Sequence, residues 1–526
     1  MSVARMTRRR SDVSWRLLGL SAVVAILIVL PIVIIAIQAF QGGTAALADA
    51  LGASSSRTLL LNSVLVALVA TPICGVIGLG AAWFVERTSL PGRRLWALLL
   101  VVPLTVPLFV TSYAWSTLSS GLQGFIGAAG IISFSYYPIV YLLVAVSLRG
   151  LDQALEDSAR SLGLNPRQIF FRVIVPQLRP ALLGGLLLVT LDTLVEFDAF
   201  VALKFQTFSL DVYAQYRLGF STSGAAALSF FSIALCIILL LTEGRLRGNA
   251  NYTRVSRGAR RAPVRYELGR WVLPVLAGVG GVVAIGVGIP VGMLIRWFTQ
   301  SSSAGLSSAS GNLQFLWPAT RTTVLLGVSS ALVALVFALP VAMLAIRHGG
   351  RFARLVERST YLSYALPDLV GGIALSYGAV HYARFLYGSF GLLVFAEAVL
   401  FVPFAVVAMR ATLGQIEPAL EDSARALGSG PFATFRRVTM PLARPGALAA
   451  AVLVFAFSLG DLATTQVLLP LNLFTLGTEF QNNSGSVALA SAAPFAAVLM
   501  VLAMAAAYVL MSRFGTVRAF ADGDRG

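Results

Sequence analysis

The stretch Ala154-Leu155-Glu156-Asp157-Ser158-Ala159-Arg160-Ser161-Leu162-Gly163 occurs twice in this chain. It returns, with one residue changed, as Ala419-Leu420-Glu421-Asp422-Ser423-Ala424-Arg425-Ala426-Leu427-Gly428. The likeness continues downstream, where Pro176 and Pro180 match Pro441 and Pro445. The offset is 265 residues at both ends (421 − 156 and 445 − 180), so the copies align without a gap. A repeat of this kind predicts that the chain consists of two copies of one module.

The composition places the chain among integral membrane proteins. Hydrophobic residues make up 57% of it and charged residues only 12%, whereas a soluble domain carries about 25% charged residues. The net charge of +17 would suit a nucleic-acid-binding protein. However, the arginines lie in short loops between apolar runs, so we expect no nucleic acid partner. Cys74 and Cys236 lie inside apolar runs, which predicts neither a disulfide framework nor a metal site.

Each half of the sequence offers six apolar runs of the length that crosses a bilayer, which takes about 20 helical residues. The fold class predicted is therefore an all-α membrane protein of two tandem six-helix modules and about 12 transmembrane helices. The runs are Leu17–Phe40, Leu59–Phe84, Leu95–Thr117, Ile131–Leu148, Pro180–Leu203 and Ala225–Leu241, then Trp271–Phe298, Thr322–Ile346, Leu362–Val380, Leu392–Met409, Ala443–Leu469 and Ala488–Met511. The predicted domains are a tail (1–16), the first module (17–242), a linker (243–270), the second module (271–513) and a second tail (514–526).

The arginines predict the orientation in the membrane. They concentrate in the N-terminal tail, the linker, both repeated segments and the loop Arg347–Arg358, whereas the loops Thr117–Gly130 and Gln300–Thr320 carry no charge. By the positive-inside rule the arginine-rich side is cytoplasmic. Six spans per module return the chain to the same side, so the modules form a parallel repeat related by a pseudo-two-fold axis. We therefore expect a multi-pass protein of the bacterial cytoplasmic (inner) membrane with both termini cytoplasmic.

The repeated segment predicts a helix–turn–helix on the cytoplasmic surface. Leu155, Ala159 and Leu162 recur at the spacing of one helical face. Gly163 suits a left-handed helix end, and Asn165-Pro166 suits the start of a second helix. We expect that second helix to be broken at Pro176, and its copy at Pro441, before the chain re-enters the membrane. An amphipathic loop on the membrane surface is the alternative, but it does not explain the identity of the copies at exposed positions.

These residues resemble the cytoplasmic signature of permease subunits in binding-protein-dependent ABC importers, E-A-A-x3-G-x9-I-x-L-P. Asp157-Ser158-Ala159, Gly163 and Val173-x-Val175-Pro176 fit its spacing, as does the second copy, with Asp in place of Glu and Ser in place of Ala. The resemblance implies that each segment, 151–180 and 416–445, contains a coupling helix that docks on an ATPase subunit. The implied coupling residues are Glu156, Asp157, Ser158, Ala159, Arg160, Gly163 and Pro176, and Glu421, Asp422, Ser423, Ala424, Arg425, Gly428 and Pro441.

The resemblance also implies the partners. The chain contains no G-x-x-x-x-G-K-[ST] phosphate loop, so ATP and Mg would be used by a separate ATPase, and two docking segments imply an ATPase homodimer. An extracytoplasmic substrate-binding protein would deliver the cargo, and no second permease chain is expected. The chain itself would be a transport subunit in the lipid bilayer rather than an enzyme, with no catalytic residues, metal site or cofactor of its own.

The cargo is less sharply indicated than the class of transporter. Two modules in one chain, with Leu191-Asp192 and Glu196-Phe197 in one copy and Gly460-Asp461 in the other, resemble permeases for ferric iron. Thiamine, polyamines, sulfate and phosphonates remain alternatives within the family. From other classes, a secondary transporter with six spans in each half or a non-transporting scaffold remain, although neither explains two matching cytoplasmic segments.

Acidic residues near the ends of spans five and eleven suggest the translocation pathway. Glu196 and Asp461 are related by the 265-residue offset, and ionisable residues at membrane depth are expensive and point to function. We expect them to favour cationic cargo, with the alternative that both face water at the outer mouth. Asp192 and Asp198 flank Glu196, whereas the second copy has apolar residues there, so the pathway is predicted to be asymmetric. For Asp368 and Glu397 a helix cap or interhelical hydrogen bond is expected, and for His381 and Tyr382 a surface position.

Overall fold

The computed structural model describes residues 15–41, 52, 54–149, 151, 153–217, 222–247, 265–300, 313–348, 350–364, 366–414, 416–484 and 489–514. Helices make up these ranges almost entirely, and their only β-pairing is one bridge between Thr88 and Tyr266. The two terminal tails, most of the linker and most of the loop Gln300–Thr320 lie outside the described residues.

The described part of the first module contains twelve helices. The long ones follow the order of the predicted spans, and short helices lie between them. They are α1 (Trp15–Gln41), α2 (Ser54–Arg87), α3 (Arg93–Leu99), α4 (Val102–Thr105), α5 (Leu108–Leu118), α6 (Phe125–Arg149), α7 (Gln153–Ser161), α8 (Pro166–Ile169), α9 (Val175–Val195), α10 (Asp198–Ala202), α11 (Phe208–Arg217) and α12 (Thr222–Arg247).

The second module repeats this order. Its helices are α13 (Val272–Val283), α14 (Ile289–Gln300), α15 (Leu316–Arg347), α16 (Gly350–Tyr364), α17 (Asp368–Tyr382), α18 (Phe390–Leu413), α19 (Pro418–Ala426), α20 (Pro431–Thr434), α21 (Met440–Gly460), α22 (Ala463–Leu468), α23 (Leu476–Ser484) and α24 (Ala493–Phe514). A wide turn of π-helix joins α13 to α14, α8 to α9, and α20 to α21.

The third and ninth predicted runs are interrupted, because each contains an X-Pro step that forces extended backbone. Pro107 (ψ 131°) separates α4 from α5, and Pro367 (ψ 136°) precedes α17. The segments on the two sides of Pro107 meet at 91°. Among the described residues, nine helices are long and apolar enough to cross a membrane, and this bent pair makes a tenth. The sixth run, within α12, and the interrupted ninth fall short of that length.

Three long helices form the centre of each module and pack against one another. In the first module these are α2, α6 and α9, and in the second α15, α18 and α21. The α2–α6 crossing is close, since a Cβ on Gly78 would lie 2.7 Å from the Cβ of Val140. Small residues at such crossings let helix backbones approach in the absence of a hydrophobic driving force.

The first helix of each module crosses to the other module. Helix α1 packs on α15, α16 and α17 as well as on α12, and its Ile28 and Ile35 are buried in a core with residues of the second module. Helices α13 and α14 pack in turn on α2 and α5 of the first module. Each module therefore completes the other's core, and the cavity between them lies inside one interlocked body.

Candidate functional site

The two repeated segments form exposed helix–turn–helix units at one end of the bundle, called here the coupling end. The first coupling helix is α7 and the second is α19. Leu162 and Leu427, one residue before the turn in each copy, are 82% and 86% exposed. Asp157 and Arg160 face solvent 3.5 Å apart, and Asp422 and Arg425 repeat that pair at 3.8 Å. Each unit thus presents an apolar tip beside one exposed charge pair, a surface suited to a protein partner.

The turn is built the same way in both copies. Gly163 and Gly428 have φ of 83° and 85°, the left-handed conformation that favours glycine. The next N–H reaches back to Ala159 O at 3.1 Å and to Ala424 O at 3.0 Å, which closes the helix end. In the first copy Asn165 then caps α8 by accepting from Gln168 N at 2.9 Å. The predicted glycine cap and Asn165 cap are confirmed.

Glu156 and Glu421 point inward rather than toward a partner. They are only 3% and 6% exposed, and each forms an ion pair with the last arginine of a long helix: Glu156 with Arg87 at the end of α2, and Glu421 with Arg347 at the end of α15. The second pair is 2.8 Å long, and Thr439 Oγ1 also donates to Glu421 at 2.9 Å. These carboxylates attach the coupling helices to the membrane helices.

The predicted break at Pro176 and Pro441 is wrong. Instead a π-helical turn precedes each proline, at Phe170–Ile174 and at Phe435–Thr439, and the helix continues through it. Proline has no N–H to donate to a regular helical hydrogen bond. In the π-helical turn the hydrogen bonds join residues five apart instead of four, so the turn tolerates the missing donor. Residues 166–195 and 431–460 are therefore two continuous helices that run from the coupling end to the acidic positions.

The described end of the linker is fixed to the first coupling segment only. Tyr266 pairs with the backbone of Arg87 and Ser89 (N to O 2.8 Å and 3.1 Å). Its hydroxyl accepts from Arg160 Nη2 at 3.1 Å, and the Arg160 guanidinium lies 5.6 Å from its ring. In the second module His348 directly follows Arg347, the arginine that pairs with Glu421. Burial lowers the pKa of His348, and the nearby charges of Arg425 and Arg347 lower it further.

A cavity of about 170 Å³ lies between the modules, with room for several waters. Its walls are the two X-Pro steps and the segments that follow α9 and α21, so each module contributes an interrupted span and a helix end. Five carboxylates line it: Asp192, Glu196, Asp198, Asp368 and Asp461. The first three come from the first module and the last two from the second, so the two modules share one acidic cavity. The four predicted pathway acids therefore come together.

Glu196 and Asp461 share one local role. Each accepts from the N–H three residues later, Ala199 N for Glu196 and Thr464 N for Asp461, both at 2.9 Å. They cap α10 and α22 in the manner of an N-cap. Asp461 is 8% exposed and lies on the cavity wall, and whether this cavity belongs to the pathway or to the outer mouth stays a prediction. Glu196 is half-buried on the cavity wall.

The remaining polar candidates behave largely as expected. Glu397 is buried and accepts from Ser458 Oγ at 2.5 Å, which confirms the predicted interhelical hydrogen bond. Asp368 is the first residue of α17, and its carbonyl accepts from Thr464 Oγ1 at 3.2 Å. His381 stacks on Tyr377 with ring centres 3.8 Å apart, and Tyr382 is exposed beside it.

Sequence reasoning missed three groups that belong to the site. Arg87 and Arg347 are one such group: each is the last residue of a long helix and pairs with a glutamate of the repeated segment. Tyr136, which donates to Glu196 Oε2 at 2.9 Å, lies in an apolar run. The aromatic wall of Phe401, Phe404 and Phe457 faces the same cavity. Applied to the sequence, the 265-residue offset shows that Phe401 is the equivalent of Tyr136 and that Phe457 is the equivalent of Asp192.

Comparison with known proteins agrees with this geometry. A sequence model described as "binding-protein-dependent transport system inner membrane component" matches residues 75–246 and again 332–517. The Fe(3+)-transport system permease protein FbpB 2 of Haemophilus influenzae is 32% identical over 476 residues, which is 90% of this chain and 93% of that protein. The sulfate transport system permease protein CysW of Synechocystis is 28% identical over 44% of this chain and 91% of its own length. The molybdenum transport system permease protein ModB of Escherichia coli is 30% identical over 31% and 81%.

Proposed function

Since this chain belongs to the family of inner membrane components of binding-protein-dependent transport systems, we propose that it forms the translocation pathway of an ATP-driven importer for ferric iron. The observation that carries the proposal is the pair of exposed coupling segments, each joined by a continuous helix to one wall of a shared acidic cavity. Such a connection lets a motor at one end move the cavity walls at the other.

The coupling end supports an ATPase partner. Its two apolar tips are alike, as Leu162 and Leu427 illustrate, so they suit two identical subunits. ATP and Mg would bind to that homodimer, because this chain has no phosphate loop. The arginine distribution supports a cytoplasmic position for the coupling end and both termini, with the binding protein docking at the opposite end. With both modules in one chain, no second permease chain is needed.

The mechanism is alternating access. Closure of the ATPase dimer would shift the two coupling segments, and the buried pairs Arg87–Glu156 and Arg347–Glu421 would pass that shift to α2 and α15. Helices α9 and α21, which carry Glu196 and Asp461 at their far ends, would move with them. The cavity would then open in turn toward the binding protein and toward the cytoplasm.

The cavity supports a cation as cargo. Five carboxylates favour positive charge and oppose an anion such as sulfate, because a charge in a poorly solvated site needs a partner of opposite sign. The relative of Haemophilus influenzae, which spans nearly the whole chain, is named for Fe(3+) transport. Iron(III) prefers oxygen ligands, and carboxylates supply them. This chemistry favours ferric iron over sulfate and phosphonate within the family.

Reconstitution tests the proposal. Full-length permease is placed in liposomes with its ATPase, and radiolabelled ferric iron is supplied on the binding-protein side. We expect uptake that requires ATP on the side of the coupling segments and the binding protein on the other, and that persists when ionophores collapse the proton and sodium gradients.

Two results would contradict the proposal. Uptake by the permease without its ATPase, or uptake that stops when the ion gradients collapse, would indicate a secondary transporter instead. ATP-dependent uptake of thiamine or sulfate in place of iron would keep the importer and reject the cargo.

A further inference from the structure

In the first module a tyrosine hydroxyl donates a hydrogen bond to a cavity carboxylate, and the second module lacks that donor. Glu196 is held on both oxygens, by Ala199 N and by the hydroxyl of Tyr136. The same offset carries Glu196 to Asp461 and Tyr136 to Phe401, which has no hydroxyl. The second module therefore keeps the carboxylate and lacks the donor.

Asp461 is left with an unpartnered oxygen in a buried place. Its Oδ1 accepts from Thr464 N at 2.9 Å, whereas its Oδ2 has no hydrogen-bond partner among the described residues. The residue is only 8% exposed and lines the cavity. A buried polar atom without a partner costs free energy comparable to a lost hydrogen bond, and more for a charged group. Such an atom calls for a ligand.

Asp198 supplies a second oxygen of the same kind from the other module. Its Oδ1 is buried and has no partner in the described part of the chain. Asp198 is the first residue of α10 and lines the same cavity as Asp461. Asp198 and Asp461 thus line one cavity from opposite modules, each with one buried unpartnered oxygen, and Phe401 and Phe457 lie on its apolar wall.

We propose that Asp198 and Asp461 together form a binding site for a hard, oxygen-preferring metal cation in transit, with one carboxylate from each module. The inference rests on the proposed function and names the contact residues for its cargo. No group of three or more His, Cys, Asp or Glu in the described residues is arranged to hold a metal ion. The cation therefore keeps part of its water shell in the site, which lets it leave again. Because the site straddles the modules, alternating access pulls its two halves apart and releases the ion.

Isosteric variants test the site in the complete transporter. In liposomes with the ATPase and binding protein, Asp198→Asn and Asp461→Asn should each lower ferric iron uptake about tenfold, the effect of losing one charged contact. Co-purification of each variant with the ATPase in wild-type amounts is the control for folding and assembly. Wild-type uptake in both variants would overturn the site while leaving the proposed function intact. Failure of the unaltered protein to import iron would instead reject the function.

A matched pair of variants uses the difference between the modules. Phe401→Tyr with Asp461→Glu rebuilds the Tyr136–Glu196 pair in the second module and should lower uptake about tenfold, because the rebuilt carboxylate is hydrogen-bonded on both oxygens. Asp461→Glu alone keeps an unpaired oxygen and should retain uptake within about threefold. Equal uptake by the single and double variants would contradict the site.

Binding can be read without transport. Terbium(III), a hard trivalent probe, is titrated into the purified full-length permease, and its emission is excited through nearby aromatic rings such as Tyr136. We expect a saturable signal that Asp198→Asn and Asp461→Asn each remove and that Asp157→Asn, at the coupling end, leaves unchanged. Terbium emission unaffected by the cavity variants would mean that the probe binds elsewhere, and would overturn the proposal.

Discussion

The two ends of this molecule treat the repeat in opposite ways. At the coupling end the modules are nearly interchangeable, with the same left-handed glycine, the same exposed Asp–Arg pair and a buried Arg–Glu pair in each. At the cavity the equivalent positions differ: Asp192 with Phe457, Tyr136 with Phe401, and Asp198 with Ala463. Under the proposed function, two identical ATPase subunits would need two equal contacts, whereas a single cargo would need only one site.

The difference also separates what must be rigid from what must be selective. The coupling segments are attached by buried ion pairs and closed by backbone hydrogen bonds. The cavity combines Glu196 and Asp461, which cap short helices, with stacked rings, such as Phe404 on Phe457 at 3.9 Å. Under the proposed function, the residues that would contact the ATPase are alike in the two copies, and the residues that would contact the cargo differ.

The largest expected effect comes from breaking one buried ion pair. Arg347→Met leaves Glu421 buried with only Thr439 as donor, and a buried charge without its partner costs about 3 kcal/mol. Hydrogen exchange of residues 418–434 should rise at least tenfold. Arg87→Met should do the same for residues 153–169. Faster exchange in only one module would show that the two coupling segments differ in how strongly their ion pairs hold them, despite their similar geometry.

The control is the exposed ion pair of the same segment. Asp422 and Arg425 lie 3.8 Å apart in solvent, where such pairs contribute little. Asp422→Asn should therefore leave the exchange of residues 418–434 unchanged. An effect as large as that of Arg347→Met would show that charge at the surface, rather than the buried attachment, holds the segment.

A smaller effect is expected at the turn. Gly163→Ala and Gly428→Ala force a Cβ into the left-handed region, which costs about 1 kcal/mol, although nothing lies within 4 Å of that Cβ. Exchange of the following helix should rise about fivefold in both modules. Gly430→Ala is the matched control, because Gly430 has φ of −64° and open space. Equal effects at residues 428 and 430 would contradict the strain argument.

The sequence predicted the elements of this fold better than the contacts between them. The repeat, the apolar runs and the glycine caps depend on neighbouring residues, so they could be predicted from local pattern. The Arg87–Glu156 and Arg347–Glu421 pairs span 69 and 74 residues, and the two arginines do not obey the 265-residue offset because the segment between arginine and glutamate is longer in the second module. The Pro176 break failed because a π-helical turn is a backbone adjustment without a side-chain signature.

The smallest expected effect concerns His348, where the coupling ends do differ. Since its folded-state pKa lies below the ordinary 6.5 and both facing groups, Arg347 and Arg425, are positive, the folded segment disfavours the protonated ring. The folded segment therefore has its full stability above about pH 6.5, where His348 is neutral in both the folded and the unfolded state. Its stability declines as the pH falls through that value toward the lowered pKa. Between pH 7.5 and 5.5, exchange of residues 418–434 should rise no more than about twofold relative to His348→Gln at each pH, because the half-exposed ring keeps part of its hydration. Residues 153–169 serve as the internal control, because in the first module Thr88 takes the place of His348 after the arginine of the ion pair. An identical response in the two segments would remove His348 as the cause and leave the coupling ends alike in this respect too.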